Sequence, residues 1–102
     1  MRAPDYAARV AAGAAFLDKQ MPGWAERIDL GQLDLFDECG CVLGQLGGNY
    51  HRMRDYFGLD MKAAALLGFT LSVTAPHENW AILDDLWADE VKKRHEPAQV
   101  TS

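Results

Sequence analysis

The sequence has little cysteine, few basic residues and no long apolar run. Only two of its 102 residues are cysteine, and Cys39 and Cys41 lie too close together to build a disulfide framework. No stretch has the length of a membrane-spanning helix, and the N-terminus lacks the basic-then-apolar layout of a signal peptide. These absences predict a cytoplasmic protein with reduced thiols and no membrane partner.

The scarcity of basic residues bears on the kind of partner that the protein can bind. Ten Lys and Arg stand against fifteen Asp and Glu, which gives a formal net charge of −5. A protein that binds the phosphate backbone needs clustered Lys and Arg, so the charge disfavours nucleic acid as a partner. Apolar residues make up 49% of the chain, enough for one core. A domain this small lies near the lower limit of what one core stabilises, which leaves a homodimer open.

Apolar periodicity predicts a mainly α fold, a small single-domain bundle of four to five helices with a looped middle segment. The helical domain is expected over residues 1–94, followed by a flexible polar tail at 95–102. The predicted helices cover about 4–20, 39–46, 49–57, 61–67 and 76–94. The looped segment is expected to place apolar residues in the core: Ile28, Leu30, Leu33 and Leu35.

Several residues mark where these helices begin and end. Pro4 suits the first turn of the first helix, and Asp37 and Asp60 are the expected N-caps of the helices that follow them. Gly58 and Gly68 each precede an apolar residue, which predicts a left-handed glycine cap at both positions. The connector after Gly68, residues 69–73, is expected to be extended.

Two helices carry distinctive faces. A stripe of glycine at positions 40, 44 and 47 or 48 is unfavourable in a helix, and it predicts that a neighbouring helix packs closely there. The last helix has an apolar face of Trp80, Leu83, Trp87 and Val91, with Ile82 and Leu86 widening it. Its acids Asp84, Asp85 and Asp89 are expected to face away, with Asp89–Lys93 and Glu90–Arg94 as ion pairs.

The Cys39-Gly40-Cys41 sequence is one candidate for chemistry. Two thiolates at this spacing suit a soft metal ion, with His51 or His77 completing the set. A structural zinc site normally has a second pair of ligands at short spacing, and this chain has none. The alternative is that Cys41 packs as a small apolar residue beside a partly exposed Cys39, and this alternative is favoured.

A helix-turn-helix is a second candidate, drawn over residues 42–59 with its turn at 47–49. Its second helix would present Asn49, His51, Arg52 and Arg54 to DNA. Only two of these four residues are basic, so the competing interpretation is that the arginines solvate the outer side of a core helix.

Trp24 follows Pro22 and Gly23, on what the sequence predicts to be a surface corner. Tryptophan is favoured at binding hot spots, which makes Trp24 a candidate contact with a partner protein. The other interpretation, that Trp24 clamps a loop onto the core, is the more common role for such a residue.

Several segments together resemble a family of small uncharacterised proteins of actinobacteriophages and actinobacteria. The most specific is Cys41-Val42-Leu43-Gly44-Gln45-Leu46, and Pro22-Gly23-Trp24 and Leu67-Gly68-Phe69 also fit. The resemblance covers roughly residues 10–91, with Gly47 departing from the larger residue expected before Gly48. It implies a phage or mobile-element origin and a host-directed or regulatory role, and it brings no activity or functional residues.

The sequence contains no recognisable catalytic set and no cofactor motif. The leading hypothesis is therefore a non-enzymatic protein-interaction module that acts on a host or phage protein. A DNA-binding regulator and a metal-binding protein are the alternatives. The candidate partner contacts are Trp24, His51, Arg52 and Arg54.

Overall fold

The computed structural model describes residues 5–72 and 74–95, and these ranges contain five α-helices, one 3₁₀ helix and no strand. The helices are α1 (Tyr6–Gln20), the 3₁₀ helix (Trp24–Arg27), α2 (Val42–Gly47), α3 (Tyr50–Phe57), α4 (Met61–Leu66) and α5 (His77–His95). The mainly α prediction is confirmed. The predicted break between residues 46 and 49 is confirmed too, because Gly48 adopts φ +89° and ends α2.

Helix α1 begins after Asp5, whose side chain accepts a hydrogen bond from the Ala8 N–H at 3.0 Å. The expected first-turn residue, Pro4, lies outside the described residues. Gly13 faces the end of α4 so closely that a Cβ there would overlap the carbonyl oxygen of Leu67. The small residues of α1 thus admit α4 as well as α5.

Helix α2 begins later than predicted, and its N-cap is Cys41 in place of Asp37. The Cys41 sulfur accepts the Gly44 N–H at 3.2 Å, while the Asp37 carboxylate accepts the Cys39 N–H at 3.0 Å within the preceding turn.

The turn before α2 also explains the glycine stripe. A Cβ on Gly44 would overlap the Glu38 carbonyl oxygen, and one on Gly47 would overlap Met53. The stripe therefore makes room for the preceding loop at Gly44 and for Met53 of helix α3 at Gly47, so the predicted close approach of a neighbouring helix is confirmed at Gly47 and wrong at Gly44.

Both predicted glycine caps are confirmed. Gly58 and Gly68 have φ values of +71° and +74°, in the left-handed region that favours glycine. The residue after each glycine donates its N–H back into the helix, from Leu59 to the Arg54 carbonyl and from Phe69 to the Ala64 carbonyl, both at 3.0 Å. This pattern is the Schellman motif, and it turns Phe69 into the core.

Helix α5 supplies the centre of the core through Trp87. Its ring stacks on Phe69 at 5.4 Å and meets the edge of Trp24 at 5.8 Å, and its indole N–H donates to the Gly68 carbonyl at 2.6 Å. The predicted buried face of α5 is confirmed, but Ile82 does not widen it, since its side chain is 46% exposed. Asp84 also differs from the prediction. Its carboxylate turns inward and accepts the Leu35 N–H at 2.7 Å.

The looped middle segment contributes to the core as predicted. Ile28 and Leu35 are buried, and Leu30 and Leu33 are half-buried against the core cluster. Within this segment the 3₁₀ helix places Trp24 and Ala25 inside. The loop is thus an apolar layer that covers one side of the helices.

The end of α5 differs from the prediction in two respects. His95, the expected first residue of the polar tail, is the last residue of α5, and its ring lies within hydrogen-bond distance of the Ala25 carbonyl oxygen. The remaining predicted tail, residues 96–102, lies outside the described residues. Lys93 pairs with Glu90 at 3.5 Å and not with the expected Asp89.

Candidate functional site

A groove of about 460 Å³ lies between the loop that precedes α2, helix α3 and the first part of α5. We call it the groove throughout. The loop forms one wall through Leu35 and Phe36, and Arg54 of α3 forms another. Trp80 of α5 and residues 69–71, which follow α4, complete it. The residues that line it are Leu35–Glu38, Cys41, Tyr50, His51, Arg54, Met61, Phe69–Leu71 and Trp80.

Large apolar side chains stand exposed at the groove. Phe36 is 57% exposed and Met61 is 66% exposed. The Phe36 ring meets the ring of Trp80 edge-on, with their centroids 5.0 Å apart. Exposed apolar residues that border a concave surface, rather than being scattered singly, are typical of sites that bind other molecules.

Two N–H donors of the groove residues are buried without a hydrogen-bond partner. They are the indole Nε1 of Trp80 and the guanidinium Nε of Arg54, and no other buried side-chain nitrogen or oxygen in residues 5–72 and 74–95 shares this condition. A buried donor without an acceptor costs about 1–3 kcal/mol relative to a satisfied one. Both nitrogens are closed off from solvent, so an acceptor in the groove would reach them only if the surrounding side chains moved.

Arg54 is held in the groove by contacts that leave its charge weakly paired. Its side chain is 22% exposed and its guanidinium lies over the ring of Tyr50, 5.8 Å from the centroid. The nearest carboxylate is that of Asp55 at 3.9 Å, which is beyond hydrogen-bond distance and on a side chain that is 77% exposed. An exposed pair of this length contributes little to stability.

The loop wall of the groove is fixed to the start of α3. The Tyr50 N–H donates to the Glu38 carbonyl oxygen at 2.8 Å, and the His51 ring nitrogen lies 3.1 Å from the Glu38 carboxylate. Asn49 caps α3 by accepting the His51 N–H at 2.8 Å. These bonds hold the loop and the helix as one wall.

The four predicted contact residues have different environments. Trp24 is only 1% exposed, so the predicted surface corner is wrong and the interpretation of a loop clamp fits. His51 and Arg54 both line the groove, whereas Arg52 is exposed and outside it. Since Asn49 serves as a cap and His51 contacts Glu38, two of the four residues of the drawn DNA-reading face are engaged within the protein.

The cysteines have the arrangement that the favoured interpretation predicts. Cys41 is buried and Cys39 is exposed. Burial raises the pKa of the Cys41 thiol to about 11, so the sulfur is neutral at physiological pH. Neutral thiols are poor metal ligands and poor nucleophiles. Across residues 5–72 and 74–95, no group of three or more His, Cys, Asp or Glu side chains is placed to hold a metal ion.

A second cluster of polar side chains lies where the ends of α1 and α5 meet. We call it the Asp18 cluster, and it consists of Asp18, Trp24, Glu90 and Arg94. The Asp18 carboxylate accepts the Trp24 indole N–H at 2.9 Å and the Arg94 guanidinium at 3.0 and 2.8 Å. Arg94 also bonds to Glu90 at 2.7 Å and lies over the Trp24 ring, 5.4 Å from the centroid. The Arg94 bonds hold the pKa of Asp18 below its usual value.

Sequence reasoning did not identify Phe36, Met61 and Trp80 as site residues. Trp80 belongs to an apolar helical face, and this placed it in the core. A signal did exist for the other two. Phe36 and Met61 stand beside an acidic residue at the edge of a predicted helix, and neither belongs to the apolar stripe of that helix. An apolar side chain that no stripe accounts for is a candidate surface contact.

Comparisons of the chain with protein-family models, curated proteins and solved structures find no match. No helix in residues 5–72 and 74–95 combines the length and the apolar character needed to cross a bilayer. The function proposed below therefore depends on the geometry of the groove.

Proposed function

We propose that the chain is a small non-enzymatic protein-interaction module, and that the groove receives an apolar segment of a partner protein. The observation that carries this proposal is the pair of exposed apolar side chains, Phe36 and Met61, at one concave groove. Apolar side chains of a partner would cover both of them.

Methionine and aromatic side chains suit this role physically. Met61 is unbranched and adapts to differently shaped partners, and Phe36 offers a large apolar surface with few rotatable bonds. Covering apolar area contributes about 25 cal/mol per Å².

The state of the groove's thiol supports binding over catalysis. Cys41 is the only thiol in the groove, and its pKa of about 11 keeps it protonated at neutral pH. Its sulfur is also occupied as the N-cap of α2. A nucleophilic cysteine requires a lowered pKa and an accessible sulfur, and Cys41 has neither.

The resemblance to actinobacteriophage proteins supports a phage origin and a host or phage protein as the partner. On this proposal the module works in the host cytoplasm, in a host-directed or regulatory role. A second copy of the chain is the other partner to be considered, since the domain is small.

Affinity capture from an actinobacterial lysate, with matched variants, tests the proposal. Met61→Glu places a charge at the groove, and Ile82→Glu places the same charge on another exposed apolar position that is outside the groove. We expect the wild-type protein and Ile82→Glu to retain one stoichiometric partner and Met61→Glu to lose it.

Light scattering over a range of protein concentrations tests whether the partner is a second copy of the chain. Self-association that Met61→Glu abolishes and Ile82→Glu retains would identify the second copy as the partner. A partner that binds Met61→Glu as well as the wild type, or the absence of any partner including a second copy, would contradict the proposal.

A further inference from the structure

We infer that the partner segment bound in the groove is basic, and that one of its Lys or Arg side chains lies against the loop wall, next to an apolar side chain that packs on Phe36. This inference rests on the proposed function and specifies the chemistry of the partner. The loop wall is the part of the groove that residues 35–38 form.

The first argument is the uneven distribution of charge along the chain. Residues 28–50 and 71–91 together hold nine of the fifteen Asp and Glu residues and none of the ten Lys and Arg residues. The first range contains the loop wall, and the second contains most of α5. Both walls that meet at Phe36 therefore come from acidic segments.

The second argument is that the fold brings these two segments together. The Leu35 N–H donates to the Asp84 carboxylate at 2.7 Å, and the ring of Phe36 lies 5.0 Å from that of Trp80. Phe36 is thus an exposed aromatic side chain with acidic residues on both sides. The exposed acidic residues nearest in sequence to these contacts are Asp34, Asp37 and Glu38 of the loop and Glu78 and Asp85 of α5.

The third argument is that the chain itself neutralises little of this charge. Glu38 contacts His51 at 3.1 Å, and its side chain is still 61% exposed. Within residues 5–72 and 74–95, no Lys, Arg or His side chain forms an ion pair with Asp34, Asp37 or Asp85. These carboxylates are free to attract a positive charge from outside.

The pKa of Asp84 agrees in sign with a negative surface at this place. Burial raises this pKa, the Leu35 N–H opposes the increase, and the carboxylates of Asp34 and Asp85 add to it. A carboxyl group is harder to ionise where other carboxylates face it, so the potential beside Phe36 is negative.

Arg54 does not reverse this charge. It is the one Lys or Arg side chain among the residues that line the groove, against the two carboxylates of Asp37 and Glu38. Its side chain is 22% exposed and lies over the ring of Tyr50, on the α3 wall. An acidic segment would be repelled by the loop wall. A Lys or Arg would be attracted to it, while the aliphatic part of the same side chain covered apolar surface.

A titration followed by nuclear magnetic resonance tests the inference on the unaltered protein. The probe is N-acetyl-leucyl-lysyl-leucine amide, and two control peptides carry glutamine or glutamate in place of the lysine. The readout is the set of backbone N–H signals of residues 35–38. The indole signals of Trp24 and Trp87 are internal controls, because both indoles donate hydrogen bonds inside the protein.

We expect the lysine peptide to shift the signals of residues 35–38 and to bind about threefold more tightly than the glutamine peptide, as one exposed ion pair provides. The glutamate peptide should bind most weakly, and the preference should vanish in about 1 M salt, where screening is strong. Equal binding of the three peptides, or tightest binding of the glutamate peptide, would overturn the inference while leaving the groove as a binding site. Failure of all three to shift these signals would count against the inference and the proposed function together.

A matched pair of double variants locates the positive charge. Asp37→Asn with Glu38→Gln removes both charges of the loop wall and retains the oxygen that accepts the Cys39 N–H. Glu26→Gln with Asp89→Asn removes the same two charges at exposed positions outside the groove. The first double variant should lose the preference for lysine and the second should retain it, and the spectrum of each reports whether it is folded. A preference that persists in the folded first variant would overturn the inference.

Discussion

The Asp18 cluster and the groove contain the same pair of residue types in opposite states. In the Asp18 cluster, Trp24 and Arg94 share one carboxylate of the chain itself. In the groove, Trp80 and Arg54 each retain a buried N–H without a partner. The difference teaches that tryptophan and arginine join two parts of a fold when the chain provides their acceptor.

The largest expected effect comes from removing the Trp87 ring, which lies at the centre of the core. Trp87→Ala should reduce the free energy of unfolding by about 3–5 kcal/mol, because Trp87 is fully buried between Phe69 and Trp24. Met61→Ala, on the groove, should change it by no more than about 0.5 kcal/mol, since Met61 is 66% exposed. Denaturant titration measures both. A large loss in Met61→Ala would show that the groove is part of the stabilising core.

A smaller effect follows from removing the Asp18 carboxylate, since Arg54 in the groove has no carboxylate within hydrogen-bond distance. Asp18→Ala leaves the indole N–H of Trp24 buried without an acceptor, which should destabilise the protein by about 1–3 kcal/mol. The control is Asp55→Ala, which removes the distant carboxylate near Arg54 and should change stability by less than about 0.5 kcal/mol. Equal losses in the two variants would mean that Arg54 is already paired through Asp55.

The indole donors themselves allow a finer comparison. Trp24→Phe loses a made hydrogen bond, whereas Trp80→Phe removes a donor that has no acceptor. Both changes delete a similar volume of buried ring, so Trp24→Phe should be more destabilising by about 1 kcal/mol. Thermal and denaturant unfolding of the two variants measure the difference. The reverse order would indicate that the Trp80 indole is satisfied in the free protein.

The remaining expected effects are on how stability depends on pH. Hydrogen bonds from Arg94 lower the pKa of Asp18 in the folded protein. The ionised carboxylate therefore stabilises the fold above the pKa of an unfolded aspartate, and this contribution is lost as the pH falls through the lower folded pKa. Asp18→Asn should flatten the acid side of the stability profile.

The thiol of the groove titrates in the opposite direction. Burial raises the pKa of Cys41 from 9.0 to about 11, so the unfolded chain loses its proton first. Stability should be complete below about pH 9 and should decrease as the pH rises towards 11. Cys41→Ala should remove this alkaline loss, whereas Cys39→Ala should retain it, because Cys39 is exposed. An alkaline loss that disappears only in Cys39→Ala would refute the assignment.

Much of the fold was predictable because local signals agreed with the periodicity. Gly58 and Gly68 both adopt the left-handed cap, and the apolar face of α5 is buried where the three- and four-residue spacing placed it. Asp60 caps α4 as expected, accepting the Ala63 N–H at 2.7 Å. Each of these features depends on residues a few positions apart, and their spacing can be read directly from the chain.

The errors concern residues whose environment comes from distant parts of the chain. Trp24 is buried because α5 brings Trp87 and Arg94 to it, and Asp84 turns inward because the loop offers it the Leu35 N–H. The groove was missed for the same reason. Phe36, Arg54 and Trp80 are far apart in sequence, and only the packing of the loop against α3 and α5 makes them neighbours.

The sequence by itself determined the helices, their caps and the buried face of α5, because hydrogen bonds and side-chain periodicity within a helix act over a few residues. Tertiary structure decided which tryptophan and arginine would find a carboxylate. Asp18 reaches Arg94 across 76 positions, and no comparable approach supplies an acceptor to Arg54 within the part of the chain that the structure describes. Burial, unlike periodicity, is a property of the assembled fold, and an N–H group without an acceptor costs free energy only where it is buried.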